Sequence, residues 1–126
     1  TKVWPAELRK TWISMRFWQG SVLSSWVADK RIRLTNEALK DLDRIWDYSA
    51  ETWSVQQAEH YSKGLQRSLQ TIGLMPEAGR EHLEFDPPLR IYPSAKHLIV
   101  YTFQKDEILI VRILAGRTNW QAILGD

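Results

Sequence analysis

From His97 to Arg117 the chain is apolar almost without interruption. Leu98 to Phe103 and Ile108 to Leu114 are mainly β-branched, aliphatic or aromatic, and Gln104-Lys105-Asp106-Glu107 is the one polar break. That pattern predicts a central antiparallel hairpin, because such residues suit strands and a short polar break suits a turn. Strands apolar on both faces need cover on both faces. One layer must come from helices of this chain, and the other is open to a partner.

Upstream the period changes. From Ala28 to Leu34, Ile32 and Leu34 alternate with Lys30, Arg31 and Arg33, predicting a short, half-exposed edge strand whose charges discourage sheet-to-sheet pairing. Thr35 then reads as an N-cap. Over Asn36 to about Thr52, Ala38, Leu42, Ile45, Trp46, Ser49 and Trp53 recur at helical spacing, and Glu37, Lys40, Asp41, Asp43, Arg44 and Asp47 take the other side. Ser54-Val55-Gln56-Gln57 fits a capping box for a second helix, striped by Ala58, Tyr61, Leu65, Leu69 and Ile72 and ending at Gly73 before Pro76. So short a break makes the two helices an antiparallel hairpin, which supplies one layer over the sheet.

Met75 to Pro88, with Pro76, Gly79, Pro87 and Pro88, reads as a stiff loop without regular structure. Leu89 to Tyr92 follows as a short strand closed by Pro93, and Ser94-Ala95-Lys96 turns into the central hairpin. After Gly116 the tail Arg117 to Leu124 ends in a last helical turn. The expected fold class is α+β: a helical hairpin packed on a small antiparallel sheet, in the order strand, helix, helix, strand, strand, strand.

The first 27 residues stand apart. They hold Trp4, Trp12, Trp18 and Trp26, and Glu7 is the only acid against Lys2, Arg9, Lys10 and Arg16. A short helix from Pro5 would align Trp4, Leu8, Trp12 and Met15 and stop at Gly20. Two readings are open: a basic aromatic arm for a membrane surface, nucleic acid or partner, or an extension translated from upstream or added by cloning. In the second case Met15 or Val27 is an alternative beginning. Residues 28–126 form the single domain.

Composition narrows the classes. With 126 residues, 44% hydrophobic and 25% charged, the chain has length for one core. It contains no cysteine, so disulfides and thiolate metal sites are excluded and a cytoplasmic location is the default. A net charge of +2 is too small for a protein that coats nucleic acid. No apolar run is long enough for a transmembrane helix. His60 and His82 have no ligand-like neighbours, no zinc spacing or glycine-rich phosphate loop occurs, and neither a metal nor a cofactor is expected.

Taken in order, Leu34-Thr35 to Ala38, Asp41-Leu42, Ile45-Trp46-Asp47-Tyr48 and Gln57-Ala58-Glu59 resemble the helical half of the RelE/ParE toxin superfamily. Met75 to Arg80, Leu89-Arg90, His97 to Tyr101 and Ile113 to Arg117 resemble its sheet half. The match spans about residues 28 to 124, and its wording is similar to the ParE branch, the plasmid stabilisation toxins. The resemblance implies a cytoplasmic toxin of a type II toxin–antitoxin system, held inactive by an antitoxin encoded beside it. Such antitoxins thread a segment around the toxin as a helix in a groove and often as a strand added to a sheet edge. The contact residues this implies are Trp46, Trp53, Tyr92, Tyr101 and Phe103. Homodimer and heterotetramer with antitoxin are both open.

Three functions follow from the resemblance. A ParE-like toxin inhibits DNA gyrase by binding, with Arg90, His97, Arg112, Arg117 and Trp120 as the contact set. A RelE-like toxin is a ribosome-dependent mRNA endonuclease, which here would use Arg90, His97 and Arg117, because cleavage needs cations at the phosphorane and a proton donor for the leaving oxygen. The third is an inactive member that only binds antitoxin, its N-terminal arm blocking the groove. The family's nucleases carry a tyrosine about six residues beyond the arginine, where this chain has Ile123, and the tail holds no Tyr, His, Asp or Glu before Asp126. That departure favours binding over catalysis. Plainer roles also stand: Arg112 paired with a helix carboxylate such as Asp43 or Asp47, His97 as a hydrogen-bonded strand residue, Trp120 as a cap on the core.

Overall fold

The computed structural model describes residues 2–3, 13–14, 31–86, 88–104, 107–117 and 119–125. Its elements are β1 (Lys2–Val3), β2 (Ile13–Ser14), β3 (Arg31–Leu34), α1 (Asn36–Thr52), α2 (Val55–Leu74), β4 (Arg80–His82), β5 (Phe85–Asp86), β6 (Leu89–Ser94), β7 (His97–Gln104), β8 (Glu107–Ala115) and α3 (Trp120–Gly125), with a 3-10 turn at Pro76–Ala78 before β4. Six strands form one sheet in the order β2-β3-β8-β7-β6-β4, and β1 pairs with β5 apart from it. The expected α+β architecture is present, with a helical hairpin over the sheet.

The caps behave as their chemistry dictates. Thr35 Oγ1 accepts from Ala38 N and Ser54 Oγ from Gln57 N, each at 3.0 Å, so one orphan amide is satisfied at each helix start. Thr35 is wholly buried and also donates to Val111 O at 2.7 Å, tying the start of α1 to β8. At the far side of the hairpin, Ser68 and the buried Ser94 share a 2.6 Å hydrogen bond between α2 and β6.

The helices cover one face of the sheet. Leu42, Ile45, Leu65, Leu69 and Ile72 pack on Ile99, Tyr101, Ile108, Ile110 and Ile113. The opposite face, expected to await a partner, is filled from within the chain. Phe85, Leu89, Val100, Leu109, Val111 and Leu114 form a second core with Leu124 of α3, and Trp120 and Ile123 pack against it. The tail supplies the missing layer because its apolar residues return across the sheet.

Several expectations are corrected by pairing. β3 runs parallel to β8, with Ile32 opposite Ile108 and Leu34 opposite Ile110, so it is the one parallel neighbour in an otherwise antiparallel sheet. Ile32 and Leu34 are buried and Arg33 between them is partly exposed, as the alternation predicts, but β3 is not an edge, because β2 pairs along its outer side. The loop from Met75 to Pro88 contains β4 and β5: Arg80-Glu81-His82 has no apolar alternation and is extended by its pairing with β6. Pro93 lies inside β6 instead of ending it. β4 reaches only as far as Ile91, so at Pro93 the strand has an open side where no amide is needed. A helix running from Pro5 to Gly20 is incompatible with Ile13–Ser14, which pair as a strand with Leu34 and Arg33. The rest of that expectation lies outside the described residues.

Candidate functional site

The four cations expected to cluster are divided by the register of the strands. Arg90 faces Tyr101 across β6 and β7, whereas His97 opens β7 four residues earlier, about 13 Å along the strand. Arg117 belongs with the His97 end, since His97 pairs with Ala115 and Gly116 N donates to Lys96 O at 2.9 Å, whereas Arg112 lies opposite Val100, between the two ends.

At the Arg90 end the guanidinium is structural. It donates to the carbonyls of Gly79 at 2.8 Å and Glu77 at 3.3 Å, lies 3.8 Å from the Glu81 carboxylate, and stacks 5.6 Å from the centre of the Phe103 ring. Beside it Tyr101 is wholly buried. Its hydroxyl accepts from Gly79 N at 2.8 Å and donates to Pro76 O at 2.6 Å, which locks the 3-10 turn onto the sheet. A Cβ at Gly79 would sit 2.7 Å from that hydroxyl, so the close approach requires glycine. Burial raises the Tyr101 pKa above the ordinary tyrosine value, so the phenol stays neutral and keeps its proton for Pro76.

Between the two ends Arg112 is held by Asp41. Nε donates to Oδ2 at 2.8 Å and Nη2 to Oδ1 at 2.9 Å, while Ile113 N adds a third bond to Oδ2. The helix partner anticipated for Arg112 exists, but it is Asp41 and not Asp43 or Asp47. Asp41 is itself buried where the helical pattern assigned it to the polar side. Donating to this carboxylate raises the already high Arg112 pKa, so the guanidinium stays charged.

His97 Nδ1 lies 2.5 Å from the Tyr61 hydroxyl, with the rings edge to face at 5.4 Å, and Lys96 N donates to the same hydroxyl. The Tyr61 hydroxyl thus holds Nδ1 of His97 and the Lys96 amide together. Burial lowers the His97 pKa below its ordinary value, Asp41 opposes that shift and Lys96 adds to it. A neutral imidazole whose Nδ1 is occupied is a poor general acid near neutral pH. Of the four, Arg117 alone is exposed.

Trp120 starts α3 and packs edge-on against His82 with ring centres 5.0 Å apart, and against Phe85 at 6.2 Å. It packs on the second core and is partly buried, which is the arrangement the plainer role describes. Among the described residues no group of histidines, cysteines or carboxylates has the arrangement of a metal site. No helix of these residues is long and apolar enough to cross a membrane.

Residues 32–120 match the model of the ParE toxin of the type II toxin–antitoxin system parDE. The chain belongs to the ParE toxin family. Toxin ParE1 of Caulobacter vibrioides is 33% identical over 96 residues, which cover 76% of this chain and 99% of that protein. Toxin ParE1 of Mycobacterium tuberculosis is 31% identical over 90 residues, covering 71% of this chain and 92% of its own length. A solved structure described as the chromosomal ParDE TA system from P. aeruginosa superposes with a TM-score of 0.59 at 18% identity, over 68% of this chain and 95% of that one. It shares the ParE fold.

The five residues expected to meet an antitoxin separate by exposure within this ParE-family chain. Trp46 on α1 and Trp53, the residue that caps its C-terminus, are 36% and 66% exposed. Tyr92 and Phe103 are half-buried against the helix-side core, and Tyr101, wholly enclosed, is removed from the contact set. Asp41, Tyr61, Gly79 and Phe85 were not singled out in advance. Only Tyr61 and Gly79 left a trace in the sequence, one on a core stripe and the other in a proline-bounded loop.

Proposed function

We propose that this toxin acts by binding DNA gyrase, without catalysis of its own, and that a cognate antitoxin encoded beside it neutralises it. The observation that carries the reading is the fate of the groups a nuclease would use. Arg90 is tied to backbone carbonyls, His97 is depressed in pKa and hydrogen-bonded to Tyr61, and Ile123 stands where the family's nucleases place a tyrosine. What is left exposed is Arg117 at the end of β8, a group suited to contact and not to proton transfer. Family membership supports the antitoxin partner, and the exposed Trp46 of α1 and Trp53 at its C-cap are the side chains offered for it.

The test is a supercoiling assay with purified gyrase. Inhibition that is relieved by the neighbouring antitoxin is the expected result, and undiminished supercoiling at excess toxin overturns it. Cleavage of mRNA in a translation extract, lost on Arg117→Ala, would instead establish the endonuclease.

A further inference from the structure

The family match begins at residue 32, so β1 and β2 lie outside it. β2 nevertheless takes a place in the main sheet, at the outer edge of β3. The hydrogen bonding of that edge follows from alternation along the strand. Thr35 N donates to Ile110 O on β8, so the amides of Leu34 and Ile32 point the other way, toward β2. Leu34 is directly opposite Ile13, which makes them a hydrogen-bonded pair, and Ser14 opposite Arg33 is then a pair without mutual hydrogen bonds.

We propose that Ile13–Ser14 is an in-chain cap on the β3 edge, blocking strand addition there, and that it is displaced by an extended segment in which aliphatic and acidic residues alternate. An uncovered strand edge is a template for another chain, and two residues of β2 remove that template from the apolar end of β3. The chemistry of the displacing segment is set by β3 itself. Ile32 and Leu34 are buried toward the cores, so the residues beside them must be aliphatic. Arg33 keeps part of its charge in solvent and has one side-chain partner in Glu107, at 3.1 Å. A carboxylate opposite it gains a charge-assisted contact that Ser14 cannot offer. The first 27 residues, with a single acid, are poorly matched to an arginine-bearing edge, and the cap is correspondingly easy to displace. This inference does not depend on gyrase being the target.

The absence of cysteine from the chain makes a direct test available. Pairs without mutual hydrogen bonds bring Cα atoms within the reach of a disulfide, so the full chain carrying Ser14→Cys and Arg33→Cys should oxidise to a single intramolecular bridge. Because the bridge replaces Arg33, blocking is read with a labelled peptide of alternating isoleucine and threonine, titrated against the oxidised and reduced forms of that one variant, which differ only in whether the cap can leave. Binding to the reduced form at least about tenfold tighter is expected, since an occupied edge lowers the competent fraction. Equal affinity in the two forms, or no binding to either, overturns the blocking role. The acidic preference is read on full-length Ile13→Pro, which keeps Arg33. There a peptide of alternating isoleucine and glutamate should bind more tightly than the threonine one, and equal binding overturns the charge match. Failure of the bridge to form, with Leu34 amide exchange as fast in the unsubstituted chain as in full-length Ile13→Pro, overturns the pairing.

Discussion

Arg112 and Asp41 meet through two parallel hydrogen bonds of 2.8 and 2.9 Å, the guanidinium on the sheet and the carboxylate on α1. Together with the bond from Ile113 N, this makes Asp41 the polar joint between the two layers. Asp41→Ala leaves a largely buried arginine and a strand amide without their acceptor, a loss of about 3 to 5 kcal/mol. Asp41→Asn keeps an acceptor for Ile113 N and should cost less. Urea denaturation of the two variants checks both the size and the order.

The Tyr101 lock gives a second pair of outcomes. Tyr101→Phe preserves the packed ring but strands the buried Gly79 amide and Pro76 carbonyl, at about 1 to 3 kcal/mol. Gly79→Ala drives a methyl into the same hydroxyl and should be at least as damaging. In the double variant the clash is partly relieved, so the two losses should fall short of additive in thermal unfolding.

Ala95 opens the two-residue turn between β6 and β7 with a φ of 54°, in the left-handed region. Replacing it with glycine removes a conformational cost of about 1 to 2 kcal/mol and adds back some unfolded-state entropy. Ala95→Gly should therefore raise the denaturation midpoint slightly, by no more than about 1 kcal/mol of stability.

His97 sets the expected response to acid. Its folded pKa is lowered from 6.5 chiefly by burial, so above that pH both folded and unfolded chains hold it neutral and nothing is lost. As the pH falls below 6.5, the unfolded chain takes up a proton that the folded site resists, and stability declines until the folded imidazole is protonated too. His97→Gln should flatten that part of the stability profile between about pH 7 and 5 relative to the unsubstituted protein.

Arg117→Ala separates function from fold. The side chain is exposed in the turn after β8, so melting should be nearly unchanged while inhibition of gyrase weakens. Loss of both together would show that Arg117 stabilises the turn and does not contact the target.

The helices and the central hairpin were legible because their signals are local. Thr35 and Ser54 announce their helices, the apolar stripe of α2 from Ala58 to Ile72 is regular, and Gln104 to Glu107 marks the turn. What the sequence concealed depends on partners far along the chain. Asp41 looks like any solvated carboxylate on α1 until Arg112 arrives from 71 positions away. Polar Arg80 to His82 becomes a strand only beside β6, and the parallel sense of β3 is visible only beside β8. The site residues suffered most, since a cation in an apolar strand reads the same whether it faces a target or is held within the fold. Arg90, Arg112 and His97 are held.

Pairing β3 with β8 has a consequence for synthesis. Thr35 finds its acceptor on Val111, 76 residues later, so the sheet closes only when nearly the whole domain has been made. Contacts so distant in sequence form slowly, and a nascent chain that has produced the helical hairpin still lacks the strand that completes β3. For most of translation the helical hairpin therefore stands without the strand that joins β3 to the rest of the sheet.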